Sequence, residues 1–178
     1  MAKYVAFLKA INVGGHVVKM DTLRELFSSL KFSNVETFIA SGNVIFDTKA
    51  TPDEKLEQKI EQHLKKALGY EVATFVRSIE EIQAISIYQP FSGELLKTAH
   101  AVHVGLMRSG LTAGTLEKAK GCASKDDDFH VSGRDVYWLC RISTADSKFP
   151  KLFEKIAGQT ATYRNVNTMA RLAKKYSH

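Results

Sequence analysis

Two short loops rich in glycine, asparagine and serine are the part of this sequence best suited to binding an anion. The first loop is Asn12-Val13-Gly14-Gly15, and the second is Ser41-Gly42-Asn43. Turns of this composition can expose backbone N–H groups toward an anion, while asparagine and serine side chains add further donors. Lys19 adds a positive charge close to the first loop. The candidate ligand-binding residues in these loops are Asn12, Gly14, Gly15, Ser41, Gly42 and Asn43.

A second interpretation of the same loops needs no ligand. Glycine and asparagine are favoured wherever a tight turn requires a positive φ, so Gly14, Gly15, Gly42 and Asn43 also fit plain turn chemistry. The first loop matches neither the phosphate-binding pattern GxxxxGK[ST] nor the dinucleotide pattern GxGxxG. The sequence alone therefore leaves both interpretations open.

The last predicted helix supplies a second place for an anion. Asn165 is predicted to cap its N-terminus, where free N–H groups and the helix dipole favour negative charge. Arg164, Thr168, Arg171 and Lys175 are spaced by four, three and four residues, which predicts one continuous helical face. Arg164 could hold a phosphate or carboxylate with two hydrogen bonds, or it could pair with an acid and anchor the helix. Arg164 and Asn165 join the candidate ligand-binding residues.

Positive charge is concentrated at the same end of the chain. The formal net charge is +6, and the last 24 residues hold five Lys or Arg and no Asp or Glu. Such a cluster favours anionic partners, including nucleic acid, although it also suits a solvated helix face. Under the nucleic-acid alternative the contacting residues are Arg164, Arg171, Lys174 and Lys175.

No catalytic residue, metal site or cofactor site is predicted. His100 and His103 are three residues apart on a predicted strand, so their side chains point to opposite faces. The run Asp126-Asp127-Asp128 lacks the spacing of an EF-hand, and we interpret it as a solvated approach to a hairpin. The GxSxG and HExxH motifs are both absent from the sequence.

Cys140 and the aromatic pair of the second half are interpreted as core residues. Cys122 and Cys140 have no nearby activating base, and Cys140 lies on a predicted strand. Tyr137 and Trp138 occupy a strand that carries stacking aromatics in RNA-recognition modules. The accompanying Lys/Arg-Gly-aromatic motif is missing, so packing is the better interpretation.

The first half of the chain is predicted to run strand, helix, strand, strand, helix, strand, helix. Asp21 is expected to cap the first helix, Gly42-Asn43 to form a two-residue hairpin turn, and Thr51 to cap the second helix. Ser78 and Glu81 are spaced as a capping box for the third helix. The predicted strands are residues 3–11, 35–40, 44–47 and 72–76, and Leu56, Ile60, Leu64 and Ala67 lie on the buried stripe of the second helix, which Gly69 ends.

The second half repeats this order. The segment around Ser41-Gly42-Asn43 recurs at Ser132-Gly133-Arg134, and Ala73-Thr74-Phe75 recurs at Ala161-Thr162-Tyr163. The predicted elements are strands at 101–107, 129–131, 136–142 and 160–163, a helix capped by Thr112, a helix near 148–157 and the final helix capped by Asn165.

These elements predict an α+β protein of two tandem ferredoxin-like (βαββαβ) halves, each followed by an extra helix. The expected boundaries are residues 1–90 for the first half, 91–98 for the connection and 99–178 for the second half with its basic helix. The first and third strands are neighbours in this arrangement. We therefore expect residues 12–15 to lie close to residues 41–43, and residues 108–110 to lie close to residues 132–134.

The cysteine usage and hydropathy favour a cytoplasmic protein with no membrane partner. Two distant cysteines without a CxxC context are typical of a reduced compartment. No run approaches the roughly 18 apolar residues of a membrane-spanning helix. The apolar run near Met1 is too short for a signal peptide.

Three segments of this chain resemble the domain of unknown function 1697 family. They are the run from Ala6 to Gly15, the run from Ser41 to Phe46, and Thr162-Tyr163-Arg164-Asn165 followed by Thr168 and Leu172. Lys9-Ala10 stands where members of the family often have Arg-Gly. The resemblance implies a bacterial protein of two ferredoxin-like halves and supplies no established activity. The matching motif residues are Asn12, Gly14, Gly15, Ser41, Gly42, Asn43, Arg164 and Asn165.

The leading functional hypothesis is a cytoplasmic protein that binds a small anionic ligand, such as a nucleotide or a phosphometabolite. The alternative is a nucleic-acid-binding module that uses the basic C-terminal helix. A protein-interaction domain is a third possibility, which a large exposed apolar patch would favour. The sequence predicts no reaction and no oligomeric state.

Overall fold

The computed structural model describes residues 1–39 and 42–177. The chain forms two compact units, called unit 1 and unit 2 below. Unit 1 comprises Met1–Gln83 together with the residues from Lys175 onward, and unit 2 comprises Ala84–Lys174. Each unit contains a four-stranded antiparallel sheet and helices, which confirms the predicted α+β class.

Unit 1 is built on a sheet with the strand order β2-β3-β1-β4. The central strand β1 pairs antiparallel with both β3 and β4, so the predicted pairing of the first and third strands is confirmed. The elements are β1 (Ala2–Leu8), α1 (Met20–Ser28), β2 (Ser33–Thr37), β3 (Asn43–Thr48), α2 (Asp53–Leu68), β4 (Thr74–Ser78) and α3 (Ile79–Ile87), the last of which continues into unit 2.

Unit 2 has the equivalent strand order β6-β7-β5-β8. The predicted connection at residues 91–98 contains a helix of its own, α4. A single 3₁₀ turn at Lys120–Cys122 follows α5. The elements are α4 (Gly93–Thr98), β5 (Ala101–Leu106), α5 (Ala113–Ala119), β6 (Asp127–Ser132), β7 (Asp135–Cys140), α6 (Phe149–Ala157), β8 (Thr162–Asn165) and α7 (Val166–Lys175).

The core of unit 1 lies between the sheet and helices α1 and α2. Leu56, Ile60 and Leu64 form the predicted stripe of α2 and are at most 2% exposed. The ring of Phe32 stacks on that of Phe46 with centroids 4.3 Å apart. Each such side chain contributes about 1.5–3 kcal/mol by leaving water, so this layer fixes the position of both helices on the sheet.

The core of unit 2 is aromatic. Trp138 is 1% exposed, and its ring stacks on Phe149 with centroids 5.4 Å apart. Gly105 leaves room for the ring of Tyr163, whose Cε1 atom lies 2.6 Å from where a Cβ would stand. Tyr137 is also buried, which confirms the packing interpretation of the Tyr137-Trp138 pair.

Two predicted helix caps are wrong and three are confirmed. Helix α1 begins at Met20 after Lys19, so Asp21 lies in the first turn, and α2 begins after Pro52 while the Thr51 hydroxyl donates to the Lys49 carbonyl. The residues in the N-cap positions are Lys19 and Pro52, whose side chains have no hydrogen-bond acceptor, so neither helix has a side-chain cap. The confirmed caps are Ser78 with Glu81, Thr112 on Thr115 N–H, and Asn165 on Asn167 N–H.

Candidate functional site

The loop after β1 and the loop before β3 meet at one end of the unit 1 sheet. The Leu8 N–H donates to the Gly42 carbonyl at 2.8 Å. Gly42 has a φ of +75°, and a Cβ on it would lie 3.0 Å from the Leu8 Cβ and 3.3 Å from the Ile11 Cγ2. Glycine is therefore required at this position both by its backbone conformation and by the close approach of β1.

The two loops line a common cleft of about 150 Å³, called the unit 1 cleft below. Its presence confirms the predicted proximity of residue 12 to residues 42 and 43. Most of the lining is apolar, with three polar side chains among it. The lining residues are Ile11, Asn12, Val18, Met20, Leu23, Thr37, Phe38, Gly42 and Asn43. Ser41, the remaining candidate of this group, lies outside the described residues.

Gly14 and Gly15 are explained by turn geometry. Both have positive φ values, +70° and +83°, and the His16 N–H donates to the Val13 carbonyl across them at 3.4 Å. This pattern is typical of a tight turn that only glycine adopts at low cost. Neither glycine lines the unit 1 cleft.

The rest of this loop is held by three side chains. The Asn12 Oδ1 accepts a hydrogen bond from the Val18 N–H at 2.8 Å and closes the loop on itself. The Tyr70 hydroxyl donates to the Ile11 carbonyl at 2.8 Å, and the His16 ring stacks on the Tyr70 ring at 3.8 Å. Asn12 thus sets the width of the loop and still lines the cleft.

Asn43 is not part of a two-residue turn, as the sequence predicted, but is the first residue of β3. Its side chain is 3% exposed, and its Nδ2 donates to the Phe38 carbonyl at 3.0 Å. The connection from β2 to β3 is longer than the predicted turn because β2 already ends at Thr37. The buried amide is thus paired with a main-chain carbonyl, as buried polar groups in proteins generally are.

The N-terminus of α1 opens onto the cleft without a side-chain cap. Lys19 is the N-cap residue and is exposed, and Met20 lines the cleft directly. Asp21, the acid of the first turn, forms an ion pair with Arg24, whose Nη1 also donates to the Thr37 Oγ1 at 2.7 Å. The helix dipole and Lys19 therefore favour a negative charge at this end of the cleft.

Two non-glycine residues with positive φ flank the same loops. Ala10 follows β1 with a φ of +58°, and Ile39 follows β2 with a φ of +46°. This conformation is unfavourable for a β-branched residue such as Ile39, so the surrounding structure must impose it. Strained backbone of this kind is concentrated at ligand-binding segments in proteins.

Arg164 lies in strand β8, so the predicted face that joined it to α7 is wrong. The alternation of a strand, and not helical spacing, sets the direction of its side chain. Its Nη1 donates to the Thr162 Oγ1 and to the Tyr163 carbonyl, both at 2.9 Å. Burial lowers its pKa to about 10. Arg164 and Asn165 belong to unit 2 and are not among the residues that line the unit 1 cleft.

The remaining basic residues of the nucleic-acid alternative have different environments. Lys175 forms an ion pair with Glu36 at 2.5 Å, whereas Arg171 and Lys174 are exposed on α7. The charge cluster is thus partly neutralised within the protein. Nucleic-acid binding by this helix stays a prediction.

Sequence reasoning missed the burial of Asp127, which it placed in a solvated run. Asp127 is 6% exposed, and its Oδ1 accepts hydrogen bonds from the Trp138 Nε1 at 2.7 Å and the Ser147 Oγ at 2.8 Å. The signal was strand alternation, because Asp127 is in phase with Phe129 and Val131, which also face the core. Asp127 therefore anchors the start of β6.

Asp127 also lines a cavity of about 300 Å³ in unit 2, together with Cys122 and Ser147. Burial raises the pKa of the Cys122 and Cys140 thiols, which agrees with the lack of an activating base near either one. Both residues are buried, as expected for Cys140. Within residues 1–39 and 42–177, no group of three His, Cys, Asp or Glu is arranged to hold a metal ion.

Comparison with known proteins gives a family and a fold. The family described as "Protein of unknown function (DUF1697)" matches residues 1–137. The chain is also similar to the conserved bacterial protein SP0830 from Streptococcus pneumoniae, with 20% identity, a TM-score of 0.77 and coverage of 98% of each chain. No curated protein matches the sequence. Over the part of the chain that the structure describes, no helix is long and apolar enough to cross a bilayer.

Proposed function

We propose that this chain, which belongs to the DUF1697 family of proteins of unknown function, binds a small anionic ligand at the unit 1 cleft. The proposal rests on the meeting of residues from separate parts of the sequence at one cleft. Asn12, Gly42 and Asn43 of the two family motifs line one cleft with Met20, at the start of a helix that has no side-chain cap.

The size and lining of the cleft define the ligand. A volume of about 150 Å³ is that of an engineered cavity that admits benzene, so the cleft takes one apolar or ring-sized group. The anionic group, a phosphate or carboxylate, then lies outside it at the N-terminus of α1 and close to Lys19. A nucleotide or phosphometabolite would therefore place a small ring or chain in the cleft and its phosphate outside.

We also infer that each half is ferredoxin-like and that the two halves arose by internal duplication. The identical strand order of the two sheets supports this, as does the recurrence of a positive-φ glycine before the third strand of each, Gly42 and Gly133. Two buried free thiols, Cys122 and Cys140, fit a reduced cytoplasmic compartment.

A thermal-shift screen tests the ligand proposal. The probes are nucleoside mono- and diphosphates, sugar phosphates and small carboxylates, each at millimolar concentration. A ligand at one hundred times its Kd stabilises a protein by about 2.7 kcal/mol, which raises the Tm of a chain this size by roughly 5–10 °C. A panel without any stabilising compound would argue against the proposal.

Two exposed positions then locate the site. Lys19→Gln should weaken a hit about three- to fivefold by removing charge near the helix terminus, and Met20→Trp should block the cleft. The matched control is Lys49→Gln, which removes an equal charge from another exposed loop of unit 1 and should leave Kd unchanged. If the Kd of a stabilising compound changes in neither Lys19→Gln nor Met20→Trp, the compound binds outside the unit 1 cleft.

A further inference from the structure

Strand β6 is an edge strand of the unit 2 sheet and pairs on one side with β7. Residues of an edge strand alternate, so every second N–H and C=O points away from the sheet. Asp127 is in the outward phase, because its N–H donates to the Ser124 Oγ at 3.2 Å and its carbonyl accepts from the Ser124 N–H at 2.9 Å. Phe129 and Val131 share this phase.

The outward backbone groups of Phe129 and Val131 form an open edge. Ser124 covers the strand only at Asp127, and within residues 1–39 and 42–177 no further strand pairs beyond β6. The register of β6 with β7 is unbroken over all six residues, so no bulge twists the edge away. Such an edge is a template for another strand.

An apolar groove of about 450 Å³ runs beside this open edge. Leu116 is 37% exposed there, and the half-buried side chains of Phe129 and Val131 form its floor. Lys120 is the one Lys, Arg, Asp or Glu among the described lining residues. The groove is lined by Leu116, Lys120, Ala123, Phe129, His130 and Val131.

The opposite face of the strand carries the polar side chains of Asp128 and His130, and the Tyr88 ring lies beside the His130 ring. Tyr88 is 40% exposed. The Tyr88 hydroxyl lies 2.8 Å from the His130 Nε2, which holds this aromatic side chain against the outer strand. A chain added at the edge would therefore meet the Tyr88 ring on this face and the apolar groove on the other.

We propose that β6 and the groove beside it bind an extended peptide segment of a partner protein by strand addition. Main-chain hydrogen bonds to Phe129 and Val131 supply affinity, and an apolar side chain of the peptide fills the groove. An acidic side chain of the peptide pairs with Lys120.

The charge preference follows from the lining of the groove. Lys120 pairs with Glu117 at 2.7 Å, but both side chains are more than 70% exposed, and an exposed pair of this kind has little strength. A peptide carboxylate can therefore compete for the ammonium group. The net charge of +6 also favours an acidic partner during encounter.

The test uses fluorescein-labelled eight-residue peptides and fluorescence anisotropy. One peptide alternates valine and threonine with a central glutamate, a second has lysine in its place, and a third has prolines that remove alternate N–H donors. The protein should bind the glutamate peptide at least tenfold more tightly than the proline peptide and about three- to fivefold more tightly than the lysine peptide, and the second difference should shrink as salt rises.

Three variants separate backbone, groove and charge. Val131→Pro removes an outward N–H and Leu116→Glu places a charge in the groove, so each should reduce binding at least tenfold. Lys120→Glu should reverse the preference toward the lysine peptide, whereas Lys118→Glu, an exposed position two residues earlier and outside the groove, should not. Trp138 fluorescence and thermal unfolding verify that each variant is folded.

Two results would overturn the proposal. The first is the absence of measurable binding by any alternating peptide at millimolar concentration, or binding that Leu116→Glu and Val131→Pro leave unchanged. The second is a concentration-dependent dimer in sedimentation that Val131→Pro dissolves, since that would assign the edge to a second copy of this chain.

Discussion

The two units have the same strand order, but their equivalent edge strands, β2 and β6, differ in regularity and in what covers them. In unit 1 the register of β2 shifts between Ser33 and Glu36, and Asn34 adopts a positive φ there. Helix α1 packs along β2, and the Arg24 guanidinium donates to the Thr37 hydroxyl. In unit 2, strand β6 is regular, and α5 packs on α6 instead of along the strand.

The last residues of the chain add a further cover to β2. Lys175 and the Tyr176 hydroxyl both bond to the Glu36 carboxylate, and the Lys3 ammonium lies 5.1 Å from the centre of the Tyr176 ring. Bulges, charges and covering segments are the devices by which proteins prevent edge strands from pairing with other chains. The difference indicates that an open β6 is a feature of unit 2 and not a consequence of the shared topology.

The largest expected effect concerns one aspartate of each sheet, Asp127 on the edge strand β6 and Asp47 on the inner strand β3. Asp127→Ala leaves the Trp138 Nε1 and the Ser147 Oγ without their buried acceptor and should lower the free energy of unfolding by about 3 kcal/mol. Asp47→Ala removes more exposed bonds to Lys3 and Asn34 and should cost about 1 kcal/mol. Urea denaturation followed by circular dichroism measures both. Equal losses would show that Asp127 does not anchor β6.

The next largest effect is a difference in the stability lost when Gly42 or Gly133 is replaced by alanine. Gly42→Ala combines a positive φ with a Cβ only 3.0 Å from Leu8 Cβ, so we expect a loss of about 2–3 kcal/mol. Gly133 has a φ of +57°, but a Cβ there would meet nothing within 4 Å, so Gly133→Ala should cost about 1 kcal/mol. Thermal unfolding of both variants checks this. If Gly133→Ala loses as much stability as Gly42→Ala, the close approach of Leu8 to residue 42 does not contribute to the cost of Gly42→Ala.

Local patterns in the sequence predicted most elements of the fold, since they depend on neighbouring residues. The helical stripe of Leu56, Ile60 and Leu64 and the reciprocal cap of Ser78 and Glu81 are examples. The exact strand limits were less accurate. Strand β4 begins at Thr74, two residues later than predicted, because pairing with β1 sets its limits.

The candidate site was predicted in position but not in detail. Strand topology was enough to bring Asn12 to Gly42 and Asn43. The uncapped start of α1 was not predicted, because Asp21 is a suitable capping residue in the sequence. The burial of Asp127 was missed because it lies in a run of three aspartates, although strand alternation with Phe129 and Val131 indicated it. The spacing of Arg164 to Arg171 predicts a common helical face, yet pairing with β5 places Arg164 in a strand.

Stability should be lost at a different pH through His103 of unit 2 than through Glu36 of unit 1. Burial and the nearby His100 hold the pKa of His103, in unit 2, below its ordinary value of 6.5. The unfolded chain then takes up a proton that the folded one does not, so stability from His103 is present above pH 6.5 and is lost as the pH falls below it. His103→Gln should remove this loss in urea midpoints measured from pH 7.5 to 5.5.

In unit 1 the corresponding loss should come at lower pH. Burial opposes ionisation of Glu36, but hydrogen bonds from Lys175 and Tyr176 outweigh it and lower the pKa below its ordinary value of 4.5. The stability that Glu36 contributes is present above pH 4.5 and is lost as the pH falls through the pKa of Glu36 in the folded protein. Glu36→Gln should flatten the urea midpoints only below pH 5. A change confined to higher pH would contradict the assignment.

The smallest expected effect removes the cover of β2. Lys175→Ala deletes an ion pair whose side chains are 38% and 39% exposed, so the loss of stability should be about 0.5 kcal/mol and should shrink with added salt. Lys174→Ala, an exposed neighbour, is the control. Hydrogen exchange is the sharper measurement, because amides of β2 should exchange faster in Lys175→Ala while those of β6 stay unchanged. If β2 exchange does not respond, α1 and the bulge suffice to close this edge, and the difference from β6 lies in the helix and the bulge.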